Sequence, residues 1–266
     1  MSVWVKWSRT TSVWMAVALS ACGGGGGGGG SEVGVSENPP PAAASATRLT
    51  NEGIWGWEYS DTFSAVFVVP AQGDSWGLLI DSTSGSLVLE VARGPMLAFQ
   101  GQAISSQLSA VGAVPAQKRA IGLNGGFTPM ASMNLTLTPN NYTGELQYDP
   151  SYDVVVPLSG VATTYEADLY ADGYKDSFEV SVASDGTVAL ASVTPGFEHC
   201  TGSGRLQPQG STAIFATRLD FTGAGCLLPD GVTIEGVAQY DGVLRKLIAF
   251  GMDRDASVAL LMDANR

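Results

Sequence analysis

The sequence predicts an all-β protein built from antiparallel strands. Apolar residues recur with a period of two along several segments, as in 213–221, where alternate residues from Ala213 to Phe221 share one face. Charged residues make up only 14% of the chain, and 34 glycines supply residues for many tight turns. Asp-Gly pairs, which suit hairpin turns, separate the periodic segments. These pairs are Asp172-Gly173, Asp185-Gly186, Asp230-Gly231 and Asp241-Gly242.

Residues 1–21 predict a signal peptide for export. Lys6 and Arg9 precede a short apolar run at 13–19, and the small residues Ser20 and Ala21 follow it. A basic start, an apolar middle and a small-residue end are typical of such a leader. The run is much shorter than the ~20 residues that a membrane-spanning helix needs. We therefore expect it to direct export without spanning the bilayer.

The four residues Leu19-Ser20-Ala21-Cys22 resemble the lipobox of bacterial lipoproteins at every position. This resemblance implies cleavage before Cys22 and acylation of its thiol and its new amino group, so that the chain is anchored to a membrane through lipid. Gly24 stands where an Asp would be expected in an inner-membrane lipoprotein of enterobacteria. By that resemblance we expect the cell outer membrane, with the body on either its surface or its periplasmic face. The alternative is an ordinary secretion signal with an incidental cysteine.

The segment 22–50 predicts a lipidated cysteine followed by a disordered tether. The eight glycines from Gly23 to Gly30 are typical of a flexible coil, and Pro39-Pro40-Pro41 predict a stiffer, extended part. We expect this linker to hold a folded body away from the membrane.

The two remaining cysteines, Cys200 and Cys226, form an even pair in a chain predicted to be exported. Disulfides persist in exported proteins, so we expect these two residues to be bonded. Closing a loop of this length stabilises a fold by about 3 kcal/mol in the chain-entropy model. The alternative is a metal site that uses His199, but further ligands at the expected spacing are missing.

The folded body is predicted to form one or two small β-barrel lobes of about eight strands each. An antiparallel meander has exposed edges, and closing it into a barrel removes them. The stretch YDPSYDVVVP interrupts the strand pattern. We therefore predict an N-terminal β lobe over 51–150 and a C-terminal β-barrel lobe over 151–266, with one larger β-sandwich as the alternative. In the segment 104–120 we expect one or two turns of helix at most, since Gly112 and Pro115 interrupt it.

The order of lipobox, glycine-rich tether and β-barrel lobes resembles the surface lipoproteins of the transferrin-binding protein B and factor H-binding protein families. Those proteins bind host proteins, which the resemblance implies as a class of function for this chain. The likeness is one of architecture, and no binding residue of either family matches a position here. The residues of any binding site therefore remain unassigned by this resemblance.

One segment, DLYADGYKDSFE, comes near to the pattern of a calcium-binding loop. Asp168, Asp172, Asp176 and Glu179 occupy carboxylate positions of an EF-hand loop, but Tyr170 stands where Asp or Asn is expected. No helix is predicted on either side. The competing interpretation is a hairpin whose acidic residues are solvated, so we expect no metal site and treat these four residues as a weak candidate.

Two further patterns have both a functional and a structural interpretation. Residues 73–77 fit G-x-S-x-G, in which Ser75 would be a hydrolase nucleophile, but that motif requires a helix and the sequence here predicts a strand. Trp55, Trp57 and Tyr59 alternate along one strand and could stack on a ligand. We favour packing in a barrel interior for these aromatics.

The net charge of -12 argues against binding to nucleic acid and against electrostatic attraction to an anionic membrane. We find no convincing catalytic residue and no cofactor motif. The sequence therefore favours a non-enzymatic binding or interaction module whose ligand is a protein or a small molecule. A structural or assembly accessory of the outer membrane is the first alternative, and a hydrolase is the last.

Overall fold

The computed structural model describes residues 51–60, 63–81, 88–95, 97–99, 103–113, 116–139, 141–171 and 173–266. The predicted signal peptide, Cys22 and the predicted tether lie outside these ranges. Two antiparallel sheets, which we call the first and the second barrel, account for nearly all of the described body. Residues 46–266 form one compact unit.

The first barrel contains nine strands. They are β1 (Gly53–Ser60), β2 (Phe63–Val69), β3 (Ser75–Asp81), β4 (Val88–Gly94), β5 (Leu97–Phe99), β6 (Ala103–Ala113), β7 (Ala116–Thr128), β8 (Ser132–Thr138) and β9 (Tyr142–Asp149). Their order in the sheet is β4-β3-β2-β1-β9-β8-β7-β6-β5. A further pairing of β4 with β6 turns the sheet back on itself, so that it forms a nearly closed barrel.

The second barrel is a closed meander of eight strands. They are β10 (Thr163–Ala171), β11 (Tyr174–Val182), β12 (Thr187–Ser192), β13 (Thr201–Pro208), β14 (Ile214–Thr222), β15 (Thr233–Asp241), β16 (Lys246–Asp253) and β17 (Ala259–Asn265). Each strand pairs with the next, and β17 pairs with β10, where Met262 lies opposite Leu169. Closure leaves the barrel without a free edge strand.

Alternating side chains fill the interior of each barrel. The first barrel buries Trp55, Phe67 and Met133, each at most 1% exposed. The second packs Tyr165, Phe178, Phe215 and other aromatic and aliphatic residues into one core. The predicted face of β14 is confirmed, because Phe215, Leu219 and Phe221 all belong to that core.

A short connection links the two barrels and closes one end of the second. Residues Pro150–Asp153 form a 3₁₀ turn that buries Tyr152, and Leu158–Val161 form a single helical turn, α1. The hydroxyl of Tyr165 donates to the carbonyl of Val161 at 2.7 Å. Burial is the main reason that the pKa of Tyr165 rises to about 12. This bond fixes α1 beneath the barrel interior.

The outer walls of the two barrels meet in an apolar seam. On the first barrel, outward-facing residues of β1, β2, β3, β4 and β6 are buried: Ile54, Val66, Val68, Trp76, Leu78, Leu89, Val91 and Val111. On the second barrel, outward-facing residues of β15–β17 are buried in the same way: Val237, Ile248, Phe250, Met252, Ala259 and Leu261. Because β4 contacts both β16 and β17, each wall covers the other.

Polar contacts border the seam near the β16–β17 turn. The guanidinium of Arg93 donates to the carbonyl of Arg254 at 3.0 Å and lies 3.7 Å from the carboxylate of Glu235. Lys118 donates to the carbonyl of Asp255 at 3.0 Å. Two cations of the first barrel therefore hold one turn of the second.

The predicted all-β fold class is confirmed, with two barrel-like sheets in the described body. The described residues of the segment 104–120, for which the sequence allowed one or two helical turns at most, belong to β6 and β7 and form a long hairpin. Gly112 lies within β6, opposite Gln117 of β7. The predicted turn regions fall between strands, with Gly173, Gly186 and Gly231 at positive φ. Asp172 lies outside the described residues.

Candidate functional site

The lipidation candidate, Cys22, lies outside the described residues, so acylation stays a prediction from the sequence. Among the described residues, no helix is long and apolar enough to cross a membrane.

Cys200 and Cys226 are bonded at one end of the second barrel, which confirms the predicted pair. Their sulfur atoms lie 2.09 Å apart and their Cα atoms 4.8 Å apart. Cys200 directly precedes β13, and Cys226 lies in the connection from β14 to β15. The bond therefore ties together two of the longest connections at this end of the barrel.

Apolar side chains close the barrel mouth beneath this disulfide. Leu227 and Leu228 pack against the core, and with Phe178 and Phe221 they line a cavity of about 10 Å³. A cavity of that size is near the lower limit for a single water molecule. Its lining is almost wholly apolar. The described side chains at this end of the barrel interior therefore pack against one another and leave space for about one water molecule.

The described calcium candidates do not converge on one point. They lie in the β10–β11 hairpin, where Asp168 faces outward and Asp176 faces the barrel interior. Glu179 is exposed on the outer face, opposite Glu166, and Asp172 lies outside the described residues. Within the described ranges, no three His, Cys, Asp or Glu side chains lie together in a way that could hold a metal ion.

Asp176 is instead a buried polar residue of the barrel interior. It is 1% exposed, and its Oδ1 accepts a hydrogen bond from the hydroxyl of Ser192 at 3.0 Å. Its Oδ2 has no hydrogen-bond partner. This burial contradicts the interpretation of Asp176 as a solvated hairpin acid, because Asp176 shares the inward face of β11 with Phe178 and Val180.

A cluster of charged residues on the outer wall was not predicted. Asp168 of β10 lies directly opposite Asp263 of β17. Lys175 lies 2.7 Å from a carboxylate oxygen of Asp168, and Lys246 lies 2.7 Å from one of Asp263. Each carboxylate therefore has its own cation. Sequence patterns could not find this cluster, because it depends on the pairing of the first and last strands of the barrel.

Tyr170 lies within this cluster and is 8% exposed. Its hydroxyl has no hydrogen-bond partner, and the ammonium of Lys175 lies 5.9 Å from its ring centroid. Burial, followed by the negative charges of Asp168 and Asp263, raises its pKa to about 12. The phenol therefore stays protonated near neutral pH.

The G-x-S-x-G pattern forms a turn that leads into a strand. Ser75 is 3% exposed and begins β3, and Trp76 is buried in the seam with the guanidinium of Arg93 over its ring at 5.7 Å. In a nucleophile elbow the serine is exposed on a turn that follows a strand and precedes a helix. His199 is exposed at the disulfide end of the second barrel.

Of the three alternating aromatic residues, Trp55 takes the predicted interior position. It is fully buried, and its indole nitrogen donates to the carbonyl of Asn51 at 2.9 Å. Its ring packs edge-on against Tyr148, with centroids 5.3 Å apart. The side chains of Trp57 and Tyr59 lie outside the described residues.

Comparison of the chain with protein-family models, with curated protein sequences and with solved structures found no significant match.

Proposed function

We propose that this chain is a lipid-anchored protein of the cell envelope whose two-barrel body is a non-enzymatic binding module. The proposal depends on one observation, the placement of Cys22 in Leu19-Ser20-Ala21-Cys22 between an export leader and a run of glycines. The outer membrane is the proposed location, because glycines follow Cys22 where, by resemblance to enterobacterial lipoproteins, an Asp would favour the inner membrane.

The body supports a role in surface binding. Large described side chains pack in the interior of both barrels, and the cavity beneath the disulfide is about the size of one water molecule. Two of the candidate functional residues, Ser75 and Asp176, are buried, and Asp176 accepts a hydrogen bond from Ser192. The third, Asp168, is paired with Lys175. Contacts with a partner would therefore use the outer surfaces and the turns.

Metabolic labelling with an alkyne fatty acid tests the anchor directly. We expect the wild-type protein, expressed in a Gram-negative host, to incorporate the label and to fractionate with the outer membrane. Cys22→Ser should incorporate none, while the double variant Cys200→Ser/Cys226→Ser, which keeps Cys22, should be labelled as the wild type is. A wild-type protein without label would overturn the lipid anchor.

Protease treatment of intact cells tests the binding role. Loss of the body from intact cells would place it on the surface, as expected for a module that binds external ligands. Survival in intact cells with loss after lysis would favour the assembly accessory instead.

A further inference from the structure

We propose that one end of the body, the tether-side end, rests on the surface of the bilayer that holds the acyl chains of Cys22. This inference depends on the proposed lipid anchor. We define the tether-side end by five exposed apolar residues: Met130, Val154, Val155, Val243 and Leu244.

Three of these residues surround the point where the chain enters the first barrel. Ile54, near the start of β1, lies opposite Asp149 at the end of β9, and the connection with Val154 and Val155 follows directly. Met130 lies in the β7–β8 turn, which is held to this end by a 2.9 Å bond from the amide of Tyr148 to the carbonyl of Ala131.

The other two residues belong to the adjoining end of the second barrel. Val243 and Leu244 form the tip of the β15–β16 turn, where the carboxylate of Asp241 accepts hydrogen bonds from the backbone amides of both residues. The side chain of Gln239 in β15 donates to Ser151 in the connection at 3.0 Å. The connection and this turn therefore lie at the same end of the body.

The exposure of these side chains is high for aliphatic residues. Val243 is 82% exposed, Val155 65% and Val154 55%. Apolar residues grouped on a surface mark a site of interaction. The other large apolar residues whose described side chains are exposed, Tyr142, Tyr174 and Val193, lie at the opposite ends of their barrels.

The predicted tether identifies the bilayer as the occupant of this surface. The sequence predicts a tether that can hold the body away from the membrane, but a flexible segment of about 30 residues has an r.m.s. span of only roughly 30 Å, so the near end of the body can also reach the bilayer. Since the tether would enter the body at the tether-side end, this end is held at high local concentration near the lipid. With a net charge of -12, the contact would depend on apolar side chains and not on attraction to anionic lipid.

Site-specific fluorescence on the mature, acylated protein tests the proposal. A cysteine replaces Val243 and, in a matched variant, Tyr174, which is 68% exposed at the far end of the second barrel. Each is labelled with an environment-sensitive dye without reductant, so that Cys200–Cys226 stays bonded. The protein is then reconstituted into phosphatidylcholine vesicles that carry a nitroxide near the headgroup.

We expect the nitroxide to quench the dye at position 243 at least threefold more than the dye at position 174. A label at Val155→Cys should behave as the one at position 243 does. Equal quenching at positions 243 and 174, with the protein floating with the vesicles, would overturn this inference and leave the lipid anchor standing. Failure of the unlabelled wild-type protein to float with vesicles would instead overturn the anchor and this inference with it.

Discussion

At the scale of single residues, glycines determine how closely the strands of the second barrel approach. Gly236 of β15 lies opposite Gly251 of β16, inside the barrel. A Cβ atom on Gly236 would lie 2.1 Å from the carbonyl oxygen of Phe250, and one on Gly251 would lie 2.2 Å from that of Glu235. A backbone atom cannot move aside to relieve such a clash as the end of a flexible side chain can. The wall of the barrel therefore depends on the absence of side chains at these two positions.

Gly236→Ala should lower the free energy of unfolding by about 2–3 kcal/mol, because the added methyl group forces the backbones of β15 and β16 apart. Urea unfolding followed by far-ultraviolet circular dichroism, which reports on the strands of both barrels, measures the change. Gly56→Ala is the matched control, since it lies in β1 and a Cβ there meets nothing within 4 Å. An equal loss of stability in the two variants would show that the close approach of β15 and β16 at Gly236 does not contribute to the stability of the barrel.

The residues also show what the sequence can and cannot predict. Alternation predicted the buried face of β14 and the inward position of Trp55, because the period of a strand depends only on neighbouring residues. The pairing of Asp168 with Asp263 depends on closure between strands far apart in the chain, and local patterns contain no such information. The same limit explains why a calcium loop was considered, since spacing alone does not show that Asp168 and Asp176 face opposite sides.

At the scale of elements, the β16–β17 turn is organised by one carboxylate. Asp253 accepts hydrogen bonds from the amide and the hydroxyl of Ser257, at 2.7 and 2.6 Å, and from the amide of Val258 at 2.9 Å. Burial by itself would raise the pKa of Asp253, but these hydrogen bonds outweigh it and lower the pKa. Arg93 and Lys118 contact this same turn from the first barrel.

Because the pKa of Asp253 is lower in the folded state, its stabilising contribution is complete above the ordinary aspartate pKa of about 3.9. The contribution is lost as the pH falls through the lower, folded-state value. Asp253→Asn should therefore lower the free energy of unfolding by about 1–2 kcal/mol at pH 7. The difference in this free energy between variant and wild type should shrink below about pH 4.

Chemical denaturation at a series of pH values measures this difference. Asp255→Asn, in the same turn, is the control. The side chain of Asp255 is exposed, and Lys118 contacts only its backbone carbonyl, which the substitution leaves in place. We expect it to change stability by less than about 0.5 kcal/mol. A difference for Asp253→Asn that is constant down to pH 2 would contradict the assigned role of the charge.

At the scale of the whole molecule, the apolar seam makes the two barrels interdependent. Val91 is fully buried although it faces away from the interior of its own barrel, and so is Met252 on the other side. Separation of the barrels would expose both walls to water. The sequence did not predict the seam, because strands that are apolar on both faces, such as β16, do not identify what covers the second face.

We expect the wild-type body to unfold in a single calorimetric transition and Val91→Asp to unfold in two. A carboxylate in the seam would be buried without a partner, which disfavours association of the walls while leaving each interior intact. Differential scanning calorimetry provides the test, through the ratio of calorimetric to van't Hoff enthalpy. Ala189→Asp, on the exposed outer face of β12, should keep one transition. One transition in both variants would mean that the seam does not couple the barrels.

Closure of the second barrel through β10 and β17 sets an order of events as the chain is made from its N-terminus. The first barrel has all of its strands once Asp149 has been added to the chain. In contrast, β10 lacks one of its two neighbouring strands until β17 is present. During this interval the first barrel presents an apolar wall that β15–β17 have not yet covered. The incomplete body therefore exposes apolar surface until the final strand is added, and this is the stage at which non-native association is favoured.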